Sequence, residues 1–245
     1  MPMPTVQAQD RLIVALDLPS IHDARALVEK LHGVVSFFKI GLTLQLADGV
    51  GPFIQELLQQ GKRVFLDYKY LDVEETMRKA VARVASLGVS FLTIHGNGSI
   101  VQAAVRGRGE SALKILSVTV LTSLDANDIR ELGFQCSVEE LVLHRAQKSI
   151  EAGCDGVVAS GREARRIREL AGSRPWLIVA PGIRPKESRG EQKQDEQKRA
   201  VTPAEAIRNG ADYLVVGRPI YGNPDPEASA GMIVQEMQEA FNAVV

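Results

Sequence analysis

The chain has 245 residues, and its 29 Lys and Arg nearly balance its 30 Asp and Glu, giving a formal net charge of −1. This composition excludes a large basic surface for nucleic acid; the two cysteines exclude a disulfide framework or a Cys-rich zinc site, and no apolar run reaches the roughly 18 residues of a membrane span. Because the start, MPMPTVQAQD, also lacks the pattern of a signal peptide, we expect a soluble cytoplasmic protein with no nucleic-acid or membrane partner.

Short apolar runs rich in Val, Ile, Leu and Phe alternate with longer amphipathic stretches along the chain. Runs of this length are typical of strands that are buried on both faces. In chain order they cover residues 12–16, 34–40, 63–67, 89–94, 114–121, 156–159, 176–180 and 213–216.

The stretches between these runs predict helices. Ala24, Leu27, Val28 and Leu31 recur at the spacing of one helical face, and similar patterns follow the later runs. The predicted helix N-caps are Ser20, Thr43, Ser99, Ser137 and Thr202, the last with Pro203 at the helix start. The glycines predicted to end helices are Gly33, Gly61, Gly88, Gly153 and Gly210.

Eight strands, each followed by a helix, predict an α/β fold: a (β/α)8 TIM barrel in a single domain. An open doubly wound sheet is the alternative. We expect residues 1–10 to form an N-terminal extension and residues 11–245 to form the barrel, with a lid loop at 184–199 after the seventh strand. This polar loop is either a disordered excursion or a lid that orders over a ligand.

Charged residues end the first three predicted strands. Asp17, Lys39, Asp67 and Lys69 occupy these positions, at the end of a barrel where catalysis occurs. Strand alternation predicts that Asp67 and Lys69 share a face, and that all four charges point inward if Phe37 and Phe65 do. His95, also at a strand end, is as typical of a hydrogen-bonded structural residue as of a ligand, and no histidines are spaced for a metal.

The segment DYKYLD brings Asp67, Lys69 and Asp72 together in the sequence. A lysine held between two carboxylates stays an ammonium, which is unsuited to forming a Schiff base but suited to protonating a developing carbanion. A neighbouring carboxylate would also repel an anionic substrate group and favour its loss.

Glycine and arginine follow the last two predicted strands, as APGIR with Gly182 and Arg184 and as VVGRPI with Gly217 and Arg218. Barrels often bind phosphate between these two loops, through backbone N–H groups and a short helix. An arginine adds a bidentate partner. Two such turns on adjacent strands predict a phosphate site, over which basic residues of the 184–199 loop are placed to close.

Together these residues resemble the orotidine 5′-phosphate decarboxylases of bacterial type. The D-x-K-x-x-D element at 67–72, followed by Thr76, is joined in order by ALD, FFKIG, LTS, PGIR, EQKR and VVGRPI, from about residue 11 to the C-terminus. The resemblance implies a carbon–carbon lyase of de novo pyrimidine biosynthesis that converts orotidine 5′-monophosphate to UMP and carbon dioxide with no metal or organic cofactor.

The resemblance also implies a role for each matching position. Lys69 protonates C6 of the pyrimidine and Asp67 lies against the substrate carboxylate, while Lys39 extends the charged array. The remaining implied contacts are Asp17 and Lys39 to the ribose, Thr122 or Ser123 to the pyrimidine, Gln197 to phosphate and base, Arg184 at the base of the lid, Gly217 and Arg218 to the phosphate, and Asp72 and Thr76 to the neighbouring site of a homodimer.

Two departures and two alternatives accompany this resemblance. The family often has His where this chain has Leu71, and Pro or a small residue where it has Glu74. The D-x-K-x-x-D element alone is shared with sugar-phosphate decarboxylases and synthases, which usually need Mg²⁺ and carry Gly after the second Asp. The other alternative is a non-catalytic phosphate-ligand binding module, against which the intact charged residues argue.

Overall fold

The computed structural model describes residues 7–96, 98–185 and 198–244, and within them parallel strands close into a barrel. The strands are β1 (Leu12–Ala15), β2 (Phe37–Ile40), β3 (Arg63–Tyr70), β4 (Phe91–Ile94), β5 (Lys114–Val118), β6 (Gly156–Val158), β7 (Leu177–Ala180) and β8 (Tyr213–Val216). They follow one another around the barrel in chain order, and β1 closes it by pairing with β8 at Leu12–Leu214. The TIM barrel prediction is confirmed, and closure excludes the open doubly wound sheet.

At least one helix follows every strand and covers the outside of the barrel. The helices are α1 (Ile21–Lys30), α2 (Leu42–Gln45), α3 (Val50–Gln59), α4 (Glu74–Ala85), α5 (Gly98–Arg108), α6 (Ala126–Glu131), α7 (Val138–Glu151), α8 (Ala164–Ala171), α9 (Pro203–Arg208), α10 (Arg218–Tyr221) and α11 (Pro226–Val244). None of the helices in the described ranges combines the length and apolar character that crossing a membrane requires.

The strand ends differ from the apolar runs in one informative place. Most strands are shorter than the apolar run that predicted them by one or more residues at an end. In contrast, β3 continues past the end of its run at residue 67 to Tyr70. This extension carries Lys69 within the strand, at the strand end that the sequence predicted for it. The cause is an irregularity in the pairing with β4, which is described with the site.

The inside of the barrel is filled by aromatic and aliphatic side chains from alternate strand positions. Phe37 and Phe65 belong to this interior cluster, as predicted, and Phe91 contacts both, with ring centroids 5.0 Å from Phe37 and 5.8 Å from Phe65. These edge-on aromatic contacts add to the burial of the rings. The guanidinium of Arg63 lies 4.4 Å from the centre of the Phe37 ring. The interior is thus a packed core, which leaves the carboxyl ends of the strands as the place for a ligand.

Helix caps confirm part of the local prediction. Ser20, Ser137 and Thr202 each accept a backbone N–H of the first helical turn, and Pro203 begins α9. Thr43 and Ser99 lie inside α2 and α5, so their prediction as N-caps is wrong. For α2 the cap is Gly41, because the chain turns immediately after β2. The glycines predicted to end helices all follow helices with positive φ: Gly33, Gly61, Gly88, Gly153 and Gly210.

The start of the described chain packs onto its end. A single 3₁₀ turn at Ala8–Asp10 precedes β1, and its buried Ala8 donates its backbone N–H to Gln238 of α11 at 3.0 Å. Residues 1–6 of the predicted N-terminal extension and residues 186–197 of the predicted lid lie outside the described residues.

Candidate active site

A cavity of about 560 Å³ opens at the carboxyl ends of the strands. Charged side chains at the ends of β1 to β3 form one wall, and the turns after β7 and β8 form the adjoining wall, because β8 pairs with β1. The predicted site residues that line it are Asp17, Lys39, Asp67, Lys69, Thr122, Ser123, Arg184, Gly217 and Arg218. Among the described residues, no three His, Cys, Asp or Glu side chains are arranged to hold a metal ion.

The charged wall is a continuous array in which ammonium and carboxylate groups alternate. Lys39 Nζ lies 3.0 Å from Asp17 Oδ1 and 3.3 Å from Asp67 Oδ2. Lys69 Nζ lies 2.9 Å from Asp67 Oδ1. Three strands that are separated by more than twenty residues along the chain therefore bring their terminal charges together. Such an array presents fixed charges to a ligand without requiring the protein to reorganise.

The array keeps its inner members ionised despite their burial. Burial alone raises the pKa of the Asp67 carboxyl, but the charges of Lys39 and Lys69 and the hydrogen bonds from Lys69 and Thr93 outweigh it, so the pKa lies below its ordinary value. Burial likewise lowers the pKa of Lys39, and the carboxylates of Asp67 and Asp17 outweigh it, so the net shift is upward. Asp67 and Lys39 thus face the cavity as an anion and a cation at neutral pH.

Lys69 reaches Asp67 through a distorted backbone and not through regular alternation. Leu66 pairs with Leu92 and Tyr70 with Ile94, so β3 advances four residues while β4 advances two. Within this bulge Lys69 has φ of 50°, the only positive φ outside glycine among the described residues. A left-handed conformation is costly for a residue with a Cβ and persists only where surrounding contacts hold it. The Lys69 and Asp67 side chains are paired as predicted, but regular strand alternation, the predicted cause of their pairing, is wrong.

The adjoining wall, formed by the turns after β7 and β8, carries the predicted anion-binding residues. Gly182 has φ of 73° and turns the chain after β7, and the buried Arg184 follows it. Gly217 is the N-cap of α10, and Arg218 is the first residue of that helix. A Cβ on Gly217 would lie 3.3 Å from Tyr221 and 3.5 Å from Ala15, so a side chain there would crowd this wall. The two predicted Gly–Arg turns do lie side by side on one cavity wall.

Comparison with known proteins identifies the family of this chain. The family model described as orotidine 5′-phosphate decarboxylase / HUMPS family matches residues 10–233. The chain belongs to this family. The orotidine 5′-phosphate decarboxylase of Nitrobacter winogradskyi is 56% identical over 234 residues, covering 96% of this chain and 95% of that protein. The enzyme of the same name from Methylococcus capsulatus is 48% identical over 238 residues, covering 97% and 96%.

A solved structure agrees with this family assignment. The crystal structure of orotidine 5′-phosphate decarboxylase from Lactobacillus acidophilus superposes with a TM-score of 0.79 at 34% identity, covering 93% of this chain and 99% of that one. The decarboxylase family assignment thus rests on matches along nearly the whole chain and on the architecture as well as on the short D-x-K-x-x-D element.

Two residues that the family resemblance assigned to the neighbouring site of a homodimer do not line the cavity of their own chain. Asp72 and Thr76 are exposed, and Asp72 Oδ1 accepts the backbone N–H of Val73 at 2.7 Å. The prediction that DYKYLD packs Asp72 together with Lys69 is therefore wrong within one chain, since among the described residues the Lys69 ammonium pairs with Asp67 and not with Asp72. Gln197, the predicted lid contact, lies outside the described residues.

The described end of the predicted lid is tied down beside the site. Arg199 is buried, pairs with Glu163 at 2.8 Å and donates to the carbonyls of Val120 and Leu121 at 2.8 and 3.0 Å. The Lys198 ammonium lies 2.8 Å from one carboxylate oxygen each of Asp125 and Asp128. Both cations have carboxylate partners here, and the loop's other basic residues between 186 and 197 lie outside the described residues, so closure of the loop over an anion stays a prediction.

Sequence reasoning missed residues of this decarboxylase-family site that carry no charge. A Cβ on Gly41 would lie 2.9 Å from Asp17 Oδ1 and 3.0 Å from Lys39 Nζ, so the array needs glycine there. Tyr221 and Thr43 also line the cavity. Thr93 contacts both Asp67 and Lys69 from β4. The signal for Gly41 was present in FFKIG, whereas Thr93 and Tyr221 lack a distinguishing pattern.

His95 remains at the edge of the site. It follows β4, is half-buried, and lies outside the lining of the cavity. Burial lowers the pKa of its imidazole, and the positive charges of Arg145 and Lys69 lower it further. A neutral imidazole at this position is consistent with the structural role that the sequence left open.

Proposed function

We propose that this protein decarboxylates orotidine 5′-monophosphate to UMP and carbon dioxide, in de novo pyrimidine biosynthesis, without a metal or organic cofactor. The observation that carries the proposal is that the alternating array of Asp17, Lys39, Asp67 and Lys69 shares one cavity with the two Gly–Arg turns. One end of the cavity suits a phosphate and the other suits a reaction in which negative charge moves from a carboxylate to a ring carbon.

The phosphate end fixes the substrate in this proposal. Gly217 supplies its backbone N–H at the start of α10, and Arg218 and Arg184 supply positive charge. Gln197 bridges phosphate and base. Thr122, which is buried, or Ser123 hydrogen-bonds the pyrimidine. Binding energy from the phosphate is then available to hold the substrate carboxylate against Asp67.

The reaction itself is a bond cleavage followed by a proton transfer. The bond from C6 to the carboxylate breaks, carbon dioxide leaves, and the electron pair remains on C6. The Lys69 ammonium stabilises this carbanion and then donates its proton to C6, so that one proton replaces one carbon dioxide. Asp67 repels the substrate carboxylate, and Asp17 and Lys39 hydrogen-bond the ribose hydroxyls.

We also propose a cytoplasmic homodimer in which Asp72 and Thr76 complete the neighbouring site. Supporting this, Leu71 and Val73 on either side of Asp72 are 66% and 67% exposed. Large apolar side chains that are exposed side by side are typical of an interface. Mixing Asp67→Asn and Asp72→Asn chains tests it, because a hybrid dimer regains one intact site only if sites are shared.

A turnover assay with orotidine 5′-monophosphate in the presence of EDTA tests the proposed reaction. We expect release of carbon dioxide and formation of UMP, unaffected by the chelator. We expect Lys69→Ala to abolish turnover while circular dichroism shows a folded protein. A requirement for Mg²⁺ together with turnover of a sugar phosphate would favour the sugar-phosphate alternative, and normal turnover by Lys69→Ala would reject the role of Lys69.

A further inference from the structure

Thr93 lies in a hydrogen-bonded ring that joins both ends of Lys69 to one oxygen of Asp67. Its hydroxyl accepts the backbone N–H of Lys69 at 3.0 Å and donates to Asp67 Oδ1 at 2.9 Å. The Lys69 ammonium donates to the same oxygen at 2.9 Å. Thr93 itself is fully buried, with an exposed fraction of 0%. The backbone of Lys69 is therefore linked to this carboxylate oxygen through the Thr93 hydroxyl, and the side chain of Lys69 is linked to the same oxygen directly.

The bulge in β3 explains why this hydroxyl is needed. Between the paired positions at Leu66 and Tyr70, the three residues of β3 face Thr93 alone on β4. The backbone N–H of Lys69 consequently points at the Thr93 side chain and away from a ladder carbonyl. Buried N–H groups are almost always paired, so the hydroxyl takes the place of a missing strand partner. The hydroxyl thereby holds Lys69 in a left-handed backbone conformation that is usually occupied by glycine.

A hydroxyl is the right group for this position because it both accepts and donates. Asp67, as an ionised carboxylate, only accepts, and the Lys69 N–H only donates. A side chain linking them must do one of each. Serine retains this ability, whereas valine keeps the shape of threonine and alanine keeps little beyond the Cβ, and neither has a polar atom.

We propose that Thr93 is a positioning residue for the decarboxylation, fixing the backbone of Lys69 and the carboxylate of Asp67 so that the ammonium faces the reacting carbon. This inference rests on the proposed function, since it assigns Thr93 a part in that reaction. Misplacement of a catalytic group by about 1 Å is enough to cost on the order of 100-fold in rate. Thr93 acts through Lys69 and Asp67 and need not touch the substrate.

Steady-state kinetics on two matched pairs test this role. Thr93→Val removes the hydroxyl at nearly constant shape, and Thr93→Ser against Thr93→Ala differs only by the hydroxyl. We expect kcat to fall about 10- to 100-fold in the Val and Ala variants, with KM little changed, and to recover most of its value in the Ser variant.

Thr119→Val is the matched control. Thr119 is also fully buried, but its hydroxyl donates to the carbonyl of Val158 at 2.9 Å and not to the charged array. We expect its kcat to match that of the wild type. The proposal is overturned if Thr93→Val has the kcat of the wild type, or if the kcat of Thr93→Ser is no higher than that of Thr93→Ala. It is also overturned if Thr119→Val loses as much kcat as Thr93→Val. An inactive wild-type protein would instead reject the proposed function.

Amide hydrogen exchange on the full chain provides a measurement that needs no substrate. We expect the Lys69 N–H to exchange faster in Thr93→Val and Thr93→Ala than in the wild type, and to regain protection in Thr93→Ser. Unchanged protection in both hydroxyl-free variants would overturn the positioning role. If Thr93→Val does not fold, the comparison of Ser with Ala still decides the question.

Discussion

Lys39 Nζ and Asp67 Oδ2 lie 3.3 Å apart in the charged wall, and the same ammonium lies 3.0 Å from Asp17 Oδ1. Lys39, which is buried on β2, is thus the lysine held between two carboxylates. The sequence assigned that position to Lys69, between Asp67 and Asp72. The array is organised around Lys39, which leaves Lys69 at its end, with Asp67 as its single carboxylate partner among the described residues.

Replacing Lys39 by methionine should therefore destabilise the protein. The variant leaves Asp67 and Asp17 facing each other without the intervening cation, and removing one partner of a buried ion pair costs about 3 to 5 kcal/mol. We expect a loss near the lower value, about 3 kcal/mol, because Asp17 is partly exposed and can be solvated. Urea unfolding measures the change.

Arg25→Met is the control for this measurement. Arg25 forms a bidentate pair with Glu56 at 2.7 Å on the surface, where exchange of an ion pair costs about 1 kcal/mol or less. Equal losses in Lys39→Met and Arg25→Met would show that burial adds nothing to the strength of the array.

Acid should reveal the depressed pKa of Asp67. Its carboxyl has an ordinary value of 3.8 and a lower value in the folded protein, so its stabilising contribution is complete above 3.8 and is lost as pH falls through the folded value. We expect the free energy of unfolding to fall more steeply below pH 4 in the wild type than in Asp67→Asn. Parallel pH dependence of the two proteins would contradict the assignment.

Gly41→Ala should reduce activity more than stability. The new methyl group would lie 2.9 Å from Asp17 Oδ1 and 3.0 Å from Lys39 Nζ, which are the mobile ends of side chains. They can move aside, so the fold should survive with a displaced array and kcat/KM lowered about tenfold or more. Thermal unfolding alongside the turnover assay separates the two effects.

Gly51→Ala is the matched control, because no atom lies within 4 Å of a Cβ at this exposed position in α3. Gly51 lies in the first turn of α3 and precedes Pro52, where a Cβ gains little in a helix, so we expect a small change in stability with turnover unchanged. If Gly41→Ala also turned over substrate normally, a close approach of Gly41 to the array would not matter for the reaction.

Arg199→Met should destabilise the loop that carries Thr122 and Ser123. It leaves the buried Glu163 without its cation and removes the two donors to the carbonyls of Val120 and Leu121, for a cost of about 3 to 5 kcal/mol. The Glu163→Met, Arg199→Met double variant should recover part of the loss. Differential scanning calorimetry measures both.

Lys198→Met tests the same segment one residue away. Its ion pairs with Asp125 and Asp128 are exposed, so we expect a loss of about 1 kcal/mol or less. A cost for Lys198→Met equal to that for Arg199→Met would place the anchoring of this segment at the surface and reject the importance of the buried pair.

The amino-acid sequence by itself determined the barrel and the chemical character of the site. Strand and helix periodicities are local, so eight apolar runs and their helices could be located without any tertiary contact, and terminal charges follow from the strand ends. The same holds for the Gly–Arg turns after β7 and β8. In each case a short segment contains the whole signal.

Only the tertiary structure decided which charges pair with which, because those choices depend on distances between residues far apart in the chain. Alternation along a strand cannot foresee the bulge that turns Lys69 back onto Asp67, or the hydroxyl of Thr93 that the bulge requires. The many Lys and Arg residues of the 184–199 loop likewise do not show that Arg199 is buried against Glu163. The local sequence pattern determines the secondary-structure element on which a side chain lies, and packing between strands determines which residues that side chain contacts.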